Sequence, residues 1–260
     1  MGTYSQSEAG VKGWSIRVKG TVQGVGFRPT VFTIAKQLGV NGKVLNDGDG
    51  VLIEAFAPIA VLQEFVQAIR EKSPPLARVE SISYKELEDP GVRATWTIPT
   101  SFAIDLSENS AVATNIAADA ATCQACLADI CNRHNRRYRY PFTNCTHCGP
   151  RLSIISAIPY DRAKTSMAPF RMCTDCQSEY QDATDRRFHA QPNACSQCGP
   201  KVWLEDKWGN EPTAEHDAID AIEAAANLLK RGKIVAIKGI GGFHLACAAT
   251  NDKAVATLRQ

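Results

Sequence analysis

Apolar and polar residues alternate along residues 14–20 (WSIRVKG), with Trp14, Ile16 and Val18 falling on one face. That period of two predicts a half-buried strand. Over residues 27–40 (FRPTVFTIAKQLGV) the spacing becomes helical. Residues 43–56 (KVLNDGDGVLIEAF) then set two apolar runs around Asp-Gly pairs, which predicts a hairpin. A second amphipathic helix follows over 59–71 (IAVLQEFVQAIRE), then a strand near 79–87 (VESISYKEL) and a last one over 101–106 (SFAIDL). The order βαββαβ predicts a ferredoxin-like α+β domain over residues 14–106.

Beyond it the pattern changes. Residues 107–121 (SENSAVATNIAADAA) are small and polar and read as a linker, whereas 122–205 hold nine of the ten cysteines, eight of them in CxxC pairs, with little hydrophobic periodicity. Globular patterning returns over 217–260. A helix spans 218–232 and ends in Gly232, a strand covers 233–239 (KIVAIKG), and a Gly-rich turn (GIGGFHL) leads to a final helix with Asn251 as N-cap. One strand cannot bury a core alone, so the chain reads as the front of a longer protein. The first residues, MGTYSQSEAGVKG, lack the apolar stretch of a secretory signal and read as a lead-in. No apolar run approaches the ~18 residues that span a bilayer. The expectation is a cytoplasmic protein without a membrane partner.

The cysteines carry the clearest chemistry. Cys123 and Cys126 form one CxxC pair, followed after 18 residues by Cys145 and Cys148; Cys173 and Cys176 are followed, again after 18, by Cys195 and Cys198. Arg136-Arg137 corresponds to Arg186-Arg187, and Cys148-Gly149-Pro150 to Cys198-Gly199-Pro200. A CxxC turn sets two sulfurs at adjacent corners of a tetrahedron, so two closed sites for structural zinc are predicted, with iron–sulfur clusters as the alternative. Disulfides would require an oxidising compartment. Ligands within each repeat make the simpler pairing, and sharing across repeats stays open. Cys131 and Cys247 fall outside the pattern, and His134 and His147 lie near enough to compete as ligands.

Charge bears on the partner. The chain as a whole carries a net +2, which does not predict a polyanionic partner. Residues 133–140 (RHNRRYRY) interleave arginine with aromatic residues, as nucleic-acid-binding stretches do. Residues 123–200, however, hold ten Lys/Arg against six Asp/Glu, and eight thiolates with two dications would bring the module to neutrality. The arginines are therefore expected to support the sulfurs. A zinc-ribbon module that binds nucleic acid or protein, with an inactive first domain, is the alternative.

Between the first strand and first helix lies Gly20-Thr21-Val22-Gln23-Gly24-Val25-Gly26-Phe27-Arg28-Pro29. Closely spaced glycines let backbone N–H groups converge, and the helix N-terminus favours an anion. Gln23, Gly24, Val25, Gly26, Phe27 and Arg28 are the candidate phosphate cradle, and Asn46 is placed to orient a water beside it. GTVQGVGFR followed by NDGDGV resembles acylphosphatase, whose functional arginine and asparagine fall on Arg28 and Asn46.

The Cys module contains RRYRYPFTNCTHCGPRLSII and DRRFHAQPNACSQCGP, and the tail KIVAIKGIGGFHLACAATNDKAVATLR is similar to the opening of a YrdC-like domain. Together they resemble the N-terminal part of the HypF family, carbamoyltransferases of [NiFe]-hydrogenase maturation. The resemblance implies hydrolysis of carbamoyl phosphate in the first domain and two structural zinc ions. ATP-dependent adenylation of carbamate is implied for the full-length protein only, as is transfer to the terminal cysteine of HypE on the route to iron cyanide ligands. Lys238 and His244 would then belong to the adenylation (nucleotide) site. Chelation is expected to unfold residues 122–205 and leave the first domain folded and active.

Overall fold

The computed structural model describes residues 10–87, 99–107, 114–210, 218–239 and 241–260. The expected lead-in up to residue 9, residues 108–113 of the expected linker, residue 217 and Ile240 lie outside the described residues. Two compact units result, Met1–Gly199 and Pro200–Gln260.

The first unit opens with β1 (Lys12–Thr21), α1 (Phe27–Leu38), β2 (Asn41–Asp47), β3 (Gly50–Ala57), α2 (Ile59–Glu71) and β4 (Arg78–Glu86). A short β5 (Phe102–Ile104) extends the sheet to the order β4-β1-β3-β2-β5. The first four strands pair antiparallel, and β5 lies parallel to β2. SFAIDL thus forms a fifth strand at the edge rather than the closing strand of the βαββαβ unit.

Trp14, Ile16 and Val18 of β1 are buried in alternation, as their period requires. They meet Val44, Val51 and Ile53 from β2 and β3, with Val31 and Ile34 of α1 and Leu62, Phe65 and Ile69 of α2 closing the core. Helix α1 stops at Gly39, whose left-handed φ of 68° costs a residue without Cβ little.

The segment read as a linker is tied down where it is described. Ile116 bridges Gln23, Ala120 bridges Gly149, and Ala117 is buried in the first core. The Thr114 hydroxyl donates to the Gly20 carbonyl at 3.3 Å. Small side chains here permit close packing, which composition alone does not distinguish from a tether.

The Cys-rich stretch has two short helices, α3 (Gln124–Cys131) and α4 (Thr174–Gln181), each beginning just after the first cysteine of its repeat. Its apolar cores are small: one is cysteine alone, the other centres on Tyr140, Met167 and Ala194.

In the second unit, α5 (Ala221–Lys230), β6 (Val235–Gly239), β7 (Gly242–Ala246) and α6 (Asp252–Arg259) follow in order. Asp220 caps α5, accepting from the Ile222 and Glu223 amides, and Asn251 caps α6 through Ala254 N. The Gly-rich turn predicted after β6 is instead the turn and second strand of an antiparallel hairpin. Phe243 and Leu245, apolar at alternate positions, supply the strand pattern that the glycines obscured. Ile237, Phe243 and Leu245 remain exposed. Among the described residues, no helix is long and apolar enough to cross a membrane.

Phe65 is fully buried between sheet and helices and packs edge-on to Phe102 at 6.1 Å. Phe65→Ala is expected to cost about 3–5 kcal/mol, measured as a lowered urea midpoint of the first unit.

Candidate phosphate pocket and metal centres

The loop from β1 to α1 is anchored by its apolar residues and bent by its glycines. Val22 and Val25 are buried in the core, while Gly24 and Gly26 hold left-handed φ values of 75° and 79°. A Cβ on Gly26 would sit 3.2 Å from the Thr146 side chain, so strain and contact both select glycine. The first-turn amides of α1, those of Phe27 and Arg28 among them, have no intrahelical acceptor.

These groups line a cavity of ≈ 30 Å³ with Arg28 and Asn46, room for one or two waters. Asn46, at the end of β2, is 2% exposed, and its amide oxygen has no hydrogen-bond partner. A buried, unpaired amide oxygen is costly unless something binds it. Beside it, Asp47 accepts from Arg17 at 2.6 Å and fixes the strand end.

Arg28 is 7% exposed. Its guanidinium donates to Asp161 Oδ1 at 2.7 Å, to the Tyr160 carbonyl at 3.4 Å and to Ser107 Oγ at 3.2 Å. Asp161 lies 133 residues along the chain, inside the Cys-rich stretch. Tyr160, Arg151, His189, Gln191 and Pro192 from that stretch also line the cavity. The pocket therefore has two walls, one from each part of the first unit.

Gln23 is used differently from its expected place in the cradle. Its side chain donates to the Asp47 and Gly50 carbonyls at 2.7 and 2.9 Å and accepts from Tyr160 N at 3.0 Å. All of its strong bonding capacity goes to clamping the β2–β3 turn against residue 160, leaving the side chain none for phosphate. Val25 and Phe27 likewise turn their side chains into the core, so their contribution to any cradle is backbone only.

Arg151, which sequence reasoning passed over, is 1% exposed. It donates to the carbonyls of Cys148, Pro150, Cys145 and Thr146 at 2.8–3.1 Å, and to that of Gly24 in the phosphate loop. One side chain thus pegs the first Cys turn to the loop. Asp119, accepting from the Arg151 and Ser153 amides, secures the same corner. Burial opposes its charge, but those hydrogen bonds prevail and lower its pKa. The repeat offered one signal: Arg151 follows Cys-Gly-Pro where Lys201 stands in the second copy.

The eight cysteines gather in two groups, Cys123, Cys126, Cys145 and Cys148, and Cys173, Cys176, Cys195 and Cys198, with sulfurs within 4.8 Å of one another. Ligands therefore stay within each repeat. An ion bound tetrahedrally at ~2.3 Å requires sulfur separations of about 3.8 Å. In the first cluster the contacts are 3.8, 3.8 and 3.5 Å, and in the second 3.8, 3.8 and 3.5 Å. Both fit a thiolate-bound tetrahedral ion such as zinc. Neither His134, which is exposed, nor His147 belongs to a cluster, and Cys131 and Cys247 stand apart.

Hydrogen bonds to sulfur cross between the repeats. Arg136 donates to Cys176 Sγ at 3.3 Å, and Arg186 donates to Cys126 Sγ at 2.8 Å. Glu179 receives both Arg136 and Arg137, while Asp129 receives both Arg186 and Arg187. Arg137, 1% exposed, also donates to Asn193 Oδ1 and the Ala194 carbonyl. The arginines of RHNRRYRY that looked like nucleic-acid contacts at 136 and 137 are thus spent inside the module. Burial works to raise the Glu179 pKa, but the Arg137 and Arg136 hydrogen bonds bring it to about 2. Its contribution is complete above the ordinary value of 4.5 and is lost as pH falls towards about 2.

Lys238 and His244 occupy the hairpin of the second unit, where Lys238 faces Phe243 and Ile237 faces His244 across the strands. Cross-strand partners share a face, so the two residues project to opposite faces, and both are exposed. The described residues do not bring them together.

Comparison with known proteins follows these parts in order. The acylphosphatase profile matches residues 14–104, the HypF finger profile matches 122–155 and 172–205, and the Sua5/YciO/YrdC profile, described as telomere recombination, matches 227–260. A carbamoyltransferase HypF from Rhodobacter capsulatus is 49% identical over 249 residues, 96% of this chain and 32% of its own length. The chain belongs to the HypF family. The crystal structure of full-length HypF in the phosphate- and nucleotide-bound form aligns with a TM-score of 0.84 and 44% identity, covering 96% of this chain and 31% of that one. An acylphosphatase from Ligilactobacillus salivarius is 42% identical over 78 residues, 30% of this chain and 87% of its own length. The chain spans about a third of the HypF proteins it matches and carries an acylphosphatase domain.

Removing the Glu179 carboxylate leaves the buried Arg137 and its neighbour without their shared acceptor. Glu179→Ala is expected to destabilise the Cys-rich module by about 3–5 kcal/mol, read from its denaturant midpoint with metal bound. A loss below about 1 kcal/mol, the level of a surface pair, would mean that the cross-repeat pairing is incidental.

Proposed function

We propose that the first unit hydrolyses carbamoyl phosphate to phosphate and carbamate. The observation that carries this reading is the joint placement of Arg28 and Asn46 on one pocket at a helix N-terminus, with the Asn46 amide oxygen unpaired. Arg28 and the loop amides hold the phosphoryl oxygens, and Asn46 orients a water for in-line attack on phosphorus. The new bond is water oxygen to phosphorus. The bond from phosphorus to the carbamoyl oxygen breaks, carbamate leaves with the electron pair, and one proton passes to solvent. Carbamate is a stable anion, so clamping and positioning count for more than a strong base.

Two zinc ions occupy the four-cysteine clusters on this reading and hold the module that forms the second wall. In the full-length protein, carbamate would be adenylated with ATP and the carbamoyl group transferred to HypE for hydrogenase maturation. The relatives that support this reading are named carbamoyltransferases, and this chain spans about a third of their length. Lys238 and His244 remain candidates for nucleotide contact only within that larger protein.

Phosphate release from carbamoyl phosphate is expected to fall about 100-fold or more in Arg28→Ala and in Asn46→Ala, with the urea midpoint retained. Unchanged release in either variant would remove that residue from the mechanism; unchanged release in both would overturn the proposal.

A further inference from the structure

The wall opposite the phosphate loop includes His189, from the second Cys repeat. Its counterpart in the first repeat is Arg139, and both have left-handed backbones, φ 53° and 60°. That conformation belongs to the repeat as a whole, so only the side chain distinguishes the position beside the pocket.

The imidazole is held firmly. His189 N donates to the Tyr180 carbonyl at 3.0 Å, and its own carbonyl accepts from Gln191 Nε2 at 2.8 Å. Its ring lies 4.8 Å from Tyr180 and 4.7 Å, edge-on, from Phe188. Yet neither ring nitrogen has a hydrogen-bond partner among the described residues. Other polar groups of this wall are spent. Gln191 Oε1 accepts from Arg162 N, Tyr160 donates to the Pro150 carbonyl, and Thr146 donates to the Arg186 carbonyl.

Burial, and then the charge of Arg28, hold the His189 pKa down to about 4, with Asp161 pulling the other way. At neutral pH the ring therefore keeps one N–H donor and one lone pair. Arg28 and Asn46 serve the phosphoryl group and its water. His189 is left to face what the phosphoryl group carries. An acetyl group offers a carbonyl and a methyl there; a carbamoyl group offers a carbonyl and amide N–H donors.

We propose that His189 is a specificity residue of the acyl-phosphate pocket, its free ring nitrogen accepting a hydrogen bond from the carbamoyl amino group. The inference rests on the hydrolase reading above and deepens it: the second Cys repeat supplies the group that separates carbamoyl from acetyl phosphate.

The test is kcat/KM for carbamoyl phosphate and acetyl phosphate in the chain with His189, in His189→Leu and in His189→Gln, each checked for metal content and melting. In His189→Leu the carbamoyl value is expected to fall about tenfold, as for one lost hydrogen bond, with acetyl phosphate within about twofold. His189→Gln, which retains an acceptor, should recover part of the preference. Equal losses on both substrates, or no change on either, would overturn the inference while Arg28-dependent release still stood. Release that does not depend on Arg28 would overturn the hydrolase reading and this inference with it. Should His189→Leu fail to fold, a His189→Gln chain without any carbamoyl preference would also overturn it.

Discussion

Residues 122–205 have little apolar material with which to fold, and the eight thiolates take its place. Small Cys-rich units gain their folding free energy from the metal that the thiolates bind. Here each sulfur cluster also recruits arginines from the other repeat, and those arginines are neutralised by Glu179 and Asp129. Packed sulfur to sulfur, the thiols cannot titrate independently. The Cys126 thiol is pushed up by hydrogen bonding to Cys145 and Cys148, while that of Cys148 is pushed down by hydrogen bonding to Cys126 and Cys145. A bound dication removes that competition by accepting all four sulfurs as thiolates. With an ion in each cluster, the module would stand as a rigid block of metal bonds, guanidinium groups and few apolar contacts.

That rigidity matters because the block touches the phosphate pocket. Arg151 reaches from the first Cys turn to the Gly24 carbonyl, Gln23 reaches from the loop to Tyr160 N, and Asp161 holds Arg28. Each contact links residues more than 120 positions apart, so the pocket is set by tertiary packing and not by the loop alone. An acylphosphatase-like sheet domain supplies the anion-binding loop and Asn46. The Cys-rich block supplies the opposite wall and the partner that orients the arginine.

Local features were legible in the sequence for local reasons. Alternating apolar residues gave β1, helical spacing gave α1 and α2, and equal CxxC spacers gave the two clusters. What eluded it was long-range. Arg28 could be read as an anion binder, but nothing near it in sequence predicts Asp161. Gln23 sits in a phosphate-loop pattern, yet its amide is more useful as a strut because two carbonyls and an N–H converge on it. Residues 114–121 look like a tether because they are small and polar, though Ala117 is small enough to enter the core. The independence expected of the first domain under chelation likewise omits a wall that only the fold reveals.

The most direct measurement is phosphate release from carbamoyl phosphate before and after metal is stripped from the chain, with the strand signal of the first domain followed in parallel by circular dichroism. Displacement of one wall by about 1 Å can cost on the order of 100-fold in rate. The account predicts that release falls by about that factor while the sheet stays folded, and that restoring zinc restores release. Undiminished release from the metal-free chain would contradict it, because the pocket would then owe nothing to the module that the thiolates hold.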